Sequence, residues 1–285
     1  MVFSLRKISL LGLVAGLLIA ASIPAMASAT EDGDPPVPPS RAALEEATPA
    51  VKVKKNDNGD TGLPFNIREG AIKEAALSYG ARGGLAARTF EIRKELTTTS
   101  SYLDKVFDFS QLLIPAPSGL LIEPPIVSAD ENAMIIGKGG QEAAVADRIY
   151  NINVNAKIVA AARRWENYLE RDWGEVTPPP DILMPETKEE REAWIRYVRE
   201  GWDKGYEQAN EIFEEDLLQL TADYQGMVRY RVLLTQGMIT PPYALQVDRG
   251  VTGGGNSMRV GDRAVQITGR PEFKPGADQW QPASR

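Results

Sequence analysis

The chain of 285 residues contains no histidine and no cysteine. Histidine is the commonest general base and a frequent zinc ligand, and cysteine supplies both a thiolate nucleophile and a zinc ligand. The sequence therefore excludes a Ser-His-Asp triad, a thiol nucleophile and any metal site built from these two residue types. Neither glycine-rich segment, at residues 80–84 or 137–140, matches the GxxxxGK[ST] loop that binds nucleotide phosphates. We expect no cofactor and no metal.

An excess of basic charge is also missing. The chain carries 32 lysines and arginines against 39 acidic residues, a formal charge of -7. The first 29 residues contain two basic residues, Arg6 and Lys7, and no acid. Removal of this segment therefore lowers the formal charge by 2, from -7 to -9. Nucleic-acid affinity depends on clustered lysine and arginine, and here the basic residues are interspersed with acids. We expect no direct binding of nucleic acid.

Residues 1–29 predict a secretory signal peptide. A basic start is followed by an apolar run at residues 8–23 and by the A-x-A cleavage pattern, which ends at Ala27 or at Ala29. The alternative is an uncleaved membrane anchor, although about 16 apolar residues fall short of the roughly 20 that span a bilayer. Lipidation of exported bacterial proteins requires a cysteine directly after the cleaved bond, and the chain has none.

Composition divides the rest of the chain into a linker and a folded domain. Residues 30–62 are rich in proline, charge and turn-forming residues, which predicts a flexible linker. A short helix at residues 40–47 is expected to order on a partner. Residues 63–285 carry the periodic apolar positions of a folded domain, with a β subregion at about residues 243–270.

Helical periodicity dominates this domain. It predicts one helix over residues 66–96 and another that starts behind the Ser/Thr cluster at residues 97–101, whose hydroxyls suit helix N-caps. Thr187 and Glu190 form a capping box at the start of a third helix, which would span about 47 residues, or about 70 Å. Bends are expected at its three glycines, Gly201, Gly205 and Gly226.

Two segments predict β-structure. β-Branched residues recur over residues 147–154, which favours a strand. Near the C-terminus, two β-type runs lie about Gly261-Asp262, which predicts a hairpin turn, with residues 253–255 as a flexible joint. The predicted fold class is α+β, mainly helical, with long amphipathic helices and a small C-terminal β-hairpin or sheet.

The segment YGARGGLAARTF, residues 79–90, places three glycines and two arginines inside a helical pattern. Gly80-x-x-Gly83 is similar to the GXXG loop of KH domains, which would make it an anion site. Alternatively, the glycines let another backbone approach closely, while Arg82 and Arg88 pair with acids on a neighbour. We favour close packing, since a four-residue pattern is a weak signal in an acidic chain.

An enzyme without histidine would depend on carboxylate pairs. Four acids lie among aromatic residues in the mixture that a peptidoglycan-cleaving enzyme uses. They are Glu166, Glu170, Asp172 and Glu175. The alternative is a solvated helix face, since Glu166 and Glu170 are spaced i, i+4. We favour the solvated face and expect no catalytic residue and no enzymatic activity. The alternative function is that of a peptidoglycan-binding or peptidoglycan-cleaving envelope protein.

Four long segments, at residues 79–92, 201–213, 223–243 and 250–268, carry a family resemblance. They read YGARGGLAARTFEI, GWDKGYEQANEIF, DYQGMVRYRVLLTQGMITPPY and GVTGGGNSMRVGDRAVQIT. Together they resemble the DotC family of type IVB secretion systems, known also from the conjugation apparatus of IncI-type plasmids. The resemblance covers most of residues 65–270.

The resemblance implies a structural subunit of the outer-membrane core complex of a type IVB secretion or conjugative transfer system. Its implied partners are proteins similar to DotD and DotH and further copies of itself in a ring. Family members resemble lipoproteins, and this chain lacks the cysteine, so we expect a periplasmic protein that reaches the outer membrane through its partners. Aromatic and arginine side chains suit interfaces. The candidate interface residues are Tyr79, Arg82, Gly83, Gly84, Arg88, Trp202, Tyr224 and Tyr230.

Overall fold

The computed structural model describes residues 37–49, 65–137, 142–276, 278 and 280. The predicted signal peptide and most of the predicted linker lie outside this part of the chain. The fold is α+β, as the sequence predicts. The helices are α1 (Arg41–Glu45), α2 (Phe65–Val106), α3 (Glu166–Leu169) and α4 (Lys188–Thr235). The strands are β1 (Ile114–Pro115), β2 (Leu121–Glu123), β3 (Ile126–Gly137), β4 (Glu142–Val154), β5 (Lys157–Val159), β6 (Tyr243–Gly254) and β7 (Ser257–Gly269).

The helices α2 and α4 lie side by side and run in the same direction. Arg68, near the start of α2, bonds to Glu190 at the start of α4, with 2.9 Å between Nε and Oε1. Further along both helices, Arg88 Nε donates to Asn210 Oδ1 at 2.7 Å. A short turn cannot join parallel neighbours, so residues 107–187 have to return along the full length of the pair.

The predicted capping box starts α4. The Glu190 backbone N–H donates to Thr187 Oγ1 at 3.1 Å, and the Thr187 N–H donates to Glu190 Oε2 at 3.3 Å. The helix then continues for 48 residues, about 72 Å at about 1.5 Å per residue. It is uninterrupted at the three glycines where the sequence predicts bends, Gly201, Gly205 and Gly226.

The glycines of α2 bring it into backbone contact with α4. A Cβ atom built on Gly80 would lie 2.2 Å from the carbonyl oxygen of Val198, and one built on Gly84 would lie 2.1 Å from that of Trp202. No side chain fits at such distances, so only glycine permits this approach.

The glycines of α4 make the reciprocal contact. A Cβ atom on Gly201 would lie 2.2 Å from the carbonyl oxygen of Leu77, and one on Gly205 would lie 2.0 Å from that of Ala81. The glycine segment at residues 79–90 is therefore a helical packing site, as favoured from the sequence. The anion-loop interpretation fails because the segment is helical and α4 covers its glycines.

The predicted helix break at residues 97–101 is wrong, because α2 continues through this cluster to Val106. Each hydroxyl of Thr97, Thr98 and Thr99 donates to the carbonyl oxygen four residues earlier, at 2.9, 2.9 and 3.1 Å. Threonine hydroxyls can bond back within a helix as well as cap a new one. Sequence alone does not distinguish these two uses.

The return from α2 to α4 begins with β-structure. Strand β2 lies at the centre of a small antiparallel sheet of order β1-β2-β5. Strands β3 and β4 pair antiparallel, and the predicted strand over residues 147–154 lies within β4. The base of this pair is anchored on α4, where Val127 is buried in one cluster with Tyr230, Leu233 and Ile239.

An extended segment, residues 163–187, completes the return by lying along the helices. Near its start, Trp165 Nε1 donates to Asp104 close to the end of α2, at 2.8 Å. Near its end, the Ile182 carbonyl accepts from Arg68 Nη1 close to the start of α2, at 2.8 Å. The segment therefore runs antiparallel to both helices.

The short helix α1 packs on the chain's own α4. Leu44 is completely buried, and its carbonyl accepts from Trp194 Nε1 at 3.2 Å. Arg199 holds Glu45 through two hydrogen bonds of 2.9 Å each. The segment at residues 40–47, expected to order on a partner, is thus ordered within its own chain.

Strands β6 and β7 form a long C-terminal hairpin, which confirms the predicted hairpin but not its turn. The turn lies at Gly255-Asn256, and Gly255 adopts a φ of +61°, as a primed two-residue turn requires. Gly261 lies within β7 at a φ of +70°, next to a register shift between the strands. The predicted turn at Gly261-Asp262 is wrong because a glycine of positive φ also serves a β-bulge.

Gly84→Ala and Gly205→Ala are expected to destabilise the fold, because each methyl group forces the helix backbones apart. Overpacking of this kind costs about 3 kcal/mol. Gly70 is an exposed helical glycine with nothing within 4 Å of an added Cβ, so Gly70→Ala should instead stabilise by up to about 1 kcal/mol. Urea unfolding of the three variants measures the difference. Equal midpoints for Gly84→Ala and Gly70→Ala would contradict the packing model.

Candidate functional site

Four of the eight candidate interface residues lie inside the protein. The Tyr79 ring is buried 6.1 Å from the ring of Trp194, and Tyr230 is completely buried. Gly83 and Gly84 lie in the contact between the helices. These four residues hold the chain's own fold together, and contact between them and a partner stays a prediction.

The other four candidates are more accessible. Arg82 is exposed, whereas Arg88, Trp202 and Tyr224 are half-buried. Tyr224 packs edge-on against Phe107, with ring centroids 5.5 Å apart. Of these four residues, Arg82 is exposed at the surface and Trp202 lines an open surface groove.

Arg88 is already paired within the chain. Its guanidinium donates to Glu91 at 3.2 Å and to Glu95 at 3.0 Å on its own helix, and to Asn210 on α4. The Tyr206 ring lies under the same guanidinium, 5.4 Å from centroid to Cζ. The predicted pairing of Arg88 with acids on a neighbour is therefore wrong, because its acidic partners Glu91 and Glu95 lie on α2 itself and compensate its positive charge.

An open groove of about 390 Å³ lies on the side of α4 that borders α2. It is lined by Trp202, Asp203, Tyr206, Glu207 and Asn210. The two aromatic side chains are half-buried and the two carboxylates are exposed. Neither carboxylate has a hydrogen bond or ion pair with another described residue. We name these five residues the aromatic-acidic groove.

Sequence reasoning identified Trp202 and missed the rest of the aromatic-acidic groove. The available signal was the spacing of Trp202 and Tyr206, and of Asp203 and Glu207, one helical turn apart on a single helix. That spacing is equally typical of any exposed helix face, so it did not single out a groove.

The distal half of the C-terminal hairpin is exposed on both faces. We name residues 249–261 the ribbon tip. One face carries Val251, Met258 and Val260, with 61%, 72% and 74% of each residue exposed. The opposite face carries Arg259, paired across the strands with Thr252.

A buried ion network joins α4 to the return segment. Arg163 Nε donates to Glu123 at 2.9 Å, and its Nη1 donates to Asp223 at 2.8 Å. The Tyr168 hydroxyl also donates to Asp223, at 2.8 Å. Both carboxylates are more than nine-tenths buried. Burial alone would lower the pKa of Arg163, but hydrogen bonds to Glu123 and Tyr168 raise it above its usual value.

The carboxylates considered for catalysis have different surroundings. Glu170 is exposed, and Asp172 is 94% exposed in an ion pair with Arg93. Glu166 is half-buried beside Arg164 and has one carboxylate oxygen, Oε2, buried without a hydrogen-bond partner. The predicted solvated face of Glu166 and Glu170 is therefore correct for Glu170 and wrong for Glu166, because α3 ends at Leu169 and the two residues do not lie on one helix.

Two further properties concern the part of the chain that the structure describes. No helix there is long and apolar enough to span a bilayer. No three acidic side chains there gather as a metal site would require.

A known family accounts for most of the chain. A family model described as "Type IV secretory system, conjugal DNA-protein transfer" matches residues 66–282. This match spans α2, α4 and both long β-hairpins, and the chain belongs to this family. It is therefore a component of a type IV secretion or conjugal transfer system. No curated protein matches the chain.

Arg163→Met is expected to cost about 3 kcal/mol, because it removes the one guanidinium that contacts both buried carboxylates. Glu123 would keep Lys157 at 3.4 Å, and Asp223 would keep only the neutral donors Tyr168 and Gln219. Arg171→Met is the matched control. It removes an arginine that pairs with Asp216 while its own side chain is 55% exposed, and exposed pairs contribute about 0–1 kcal/mol. Chemical denaturation compares the two variants. If Arg163→Met lowers the free energy of unfolding by no more than Arg171→Met does, the buried ion network contributes little to stability.

Tyr230→Phe is expected to reduce the loss of stability at alkaline pH. Burial raises the pKa of Tyr230 to about 12 from a usual value of 10. The folded chain therefore keeps a proton that the unfolded chain loses, so this contribution is complete below about pH 10 and is lost as pH rises towards about 12. The hydroxyl has no hydrogen-bond partner among the described residues, so the substitution should not destabilise the fold at neutral pH.

Thermal melts between neutral pH and about pH 12 measure this effect. Tyr102→Phe is the control, because Tyr102 is 68% exposed. The melting temperature of Tyr230→Phe should fall less steeply than those of the wild type and of Tyr102→Phe. Three parallel curves would exclude Tyr230 as a source of alkaline sensitivity.

Proposed function

We propose that the chain is a structural subunit of the outer-membrane core complex of a type IVB secretion or conjugative transfer system, and a member of the DotC family. The family match over residues 66–282 carries this proposal. The segments that resemble DotC proteins coincide with the helix packing site, with α4 and with the C-terminal hairpin. A chain built on one continuous pair of long helices is suited to holding other subunits at fixed distances.

The proposed partners are proteins similar to DotD and DotH, and further copies of the chain in a ring. We propose a periplasmic location, with attachment to the outer membrane through these partners, because no cysteine is available for lipidation. Two accessible surfaces support a role in assembly: the aromatic-acidic groove and the ribbon tip.

We propose no enzymatic activity and no cofactor. Catalysis by a carboxylate pair needs one group with a raised pKa, which burial supplies. Glu170 and Asp172 are exposed, which does not favour that chemistry. Cleavage of peptidoglycan is the alternative function, and a zymogram distinguishes it from a structural role.

Deletion of the gene from a conjugative element should abolish transfer, and both the wild-type chain and Glu170→Gln should restore it.

The chain should copurify with DotD-like and DotH-like proteins. In their presence it should fractionate with the outer membrane, and without them with periplasmic proteins. A zymogram in which the purified chain clears peptidoglycan, with clearing abolished by Glu170→Gln, would replace the proposal with an enzymatic function.

A further inference from the structure

The aromatic-acidic groove has the chemistry of an arginine site. Asp203 and Glu207 are one helical turn apart, about 6 Å, and both are free of partners in the described chain. The indole of Trp202 and the ring of Tyr206 line the same groove. A guanidinium bonds to carboxylates through its N–H groups and stacks on aromatic faces. The groove keeps its negative charge although Arg88 lies nearby, because Glu91 and Glu95 compensate the charge of Arg88.

The ribbon tip carries the complementary groups. Arg249 and Arg259 are exposed and form no hydrogen bond or ion pair with another described residue. Of the acids that border the tip, Asp248 pairs with Arg263 at 3.5 Å. Asp262 accepts a hydrogen bond from Thr252 at 2.7 Å and forms no ion pair with either arginine. The tip therefore presents two unpaired positive charges.

We propose that the ribbon tip of one copy docks in the aromatic-acidic groove of a second copy, with Arg259 entering the groove and Arg249 at its rim. The inference rests on the proposed function and names the surfaces through which the chain would self-associate. Within one chain each set of charges lacks a partner, and the two sets match in number and are opposite in sign. A two-stranded hairpin is marginally stable in water by itself, so docking would also order the tip.

Docking of this kind is head to tail. Each copy offers one groove and one tip, and these two surfaces differ. Heterologous contacts form a ring when the rotation between neighbours closes, and a filament when it does not. Until the ring closes, the groove of the last copy has no ribbon tip docked in it.

A charge-reversal experiment tests this interface. One variant reverses the groove with Asp203→Arg and Glu207→Arg, and the other reverses the tip with Arg249→Glu and Arg259→Glu. All four side chains are exposed and unpaired, so both variants should fold, which circular dichroism verifies. By sedimentation velocity, the wild-type chain should form oligomers and each variant alone should be monomeric. An equimolar mixture should regain oligomers, because each tip then meets a groove of opposite charge.

The control reverses two acids elsewhere, Glu69→Arg and Glu74→Arg on the exposed side of α2, and should assemble like the wild type. A monomeric wild-type chain, a variant that assembles alone, or a mixture that stays monomeric would each overturn the proposal.

A second experiment separates this interface from the proposed function. The chain is free of cysteine, so Asp203→Cys with Arg259→Cys introduces two thiols without background. In cells that carry the whole transfer system, mild oxidation should convert the double variant into a ladder of crosslinked oligomers, and neither single variant should form one. Absence of the ladder in transfer-competent cells overturns the interface alone. If transfer proceeds without the chain, the proposed function fails instead.

Discussion

Contact between glycines and backbone carbonyls of α2 and α4 determines the rest of the architecture. Gly80, Gly84, Gly201 and Gly205 each lie against a carbonyl oxygen of the other helix, in a geometry that favours weak Cα–H···O bonds and dense packing. The contact holds the helices parallel, although aligned helix dipoles oppose such an arrangement slightly. Parallel helices need a long connection, and the chain uses residues 107–187 for it. The small sheet, the β3–β4 pair and the extended return segment all belong to that connection.

Packing of the return segment leaves few polar groups of the interior unpaired. Arg163 donates hydrogen bonds to two buried carboxylates, and Arg68 donates to backbone carbonyls near the start of α4. Along the border between α2 and α4 the exposed carboxylates of Asp203 and Glu207 remain open to solvent. The C-terminal hairpin leaves the end of α4 through residues 236–242. These carboxylates and the ribbon tip are thus two of the surfaces that the core of the described chain does not use.

Sequence patterns predicted those elements whose signal is local. The capping box at Thr187 located the start of α4, and helical periodicity identified both long helices, because each signal lies within a few residues. The sequence pattern predicted the hairpin turn at Gly261, whereas the turn lies at Gly255. Both positions are glycines of positive φ among polar residues, so the pattern does not tell them apart. The return segment and the Arg163 network were not predicted, because both depend on contacts between distant residues. The same holds for the groove, of which Trp202 alone was identified.

The shared direction of α2 and α4 has a mechanical consequence. Tension applied to the hairpin enters α4 at its C-terminal end and acts along an axis common to both helices. Sliding one helix past the other by a turn, about 5.4 Å, requires the interlocked glycine contacts to yield together. A sideways pull would instead separate them one after another. The helix pair is therefore stiff when it is pulled along its length and weaker when it is pulled sideways.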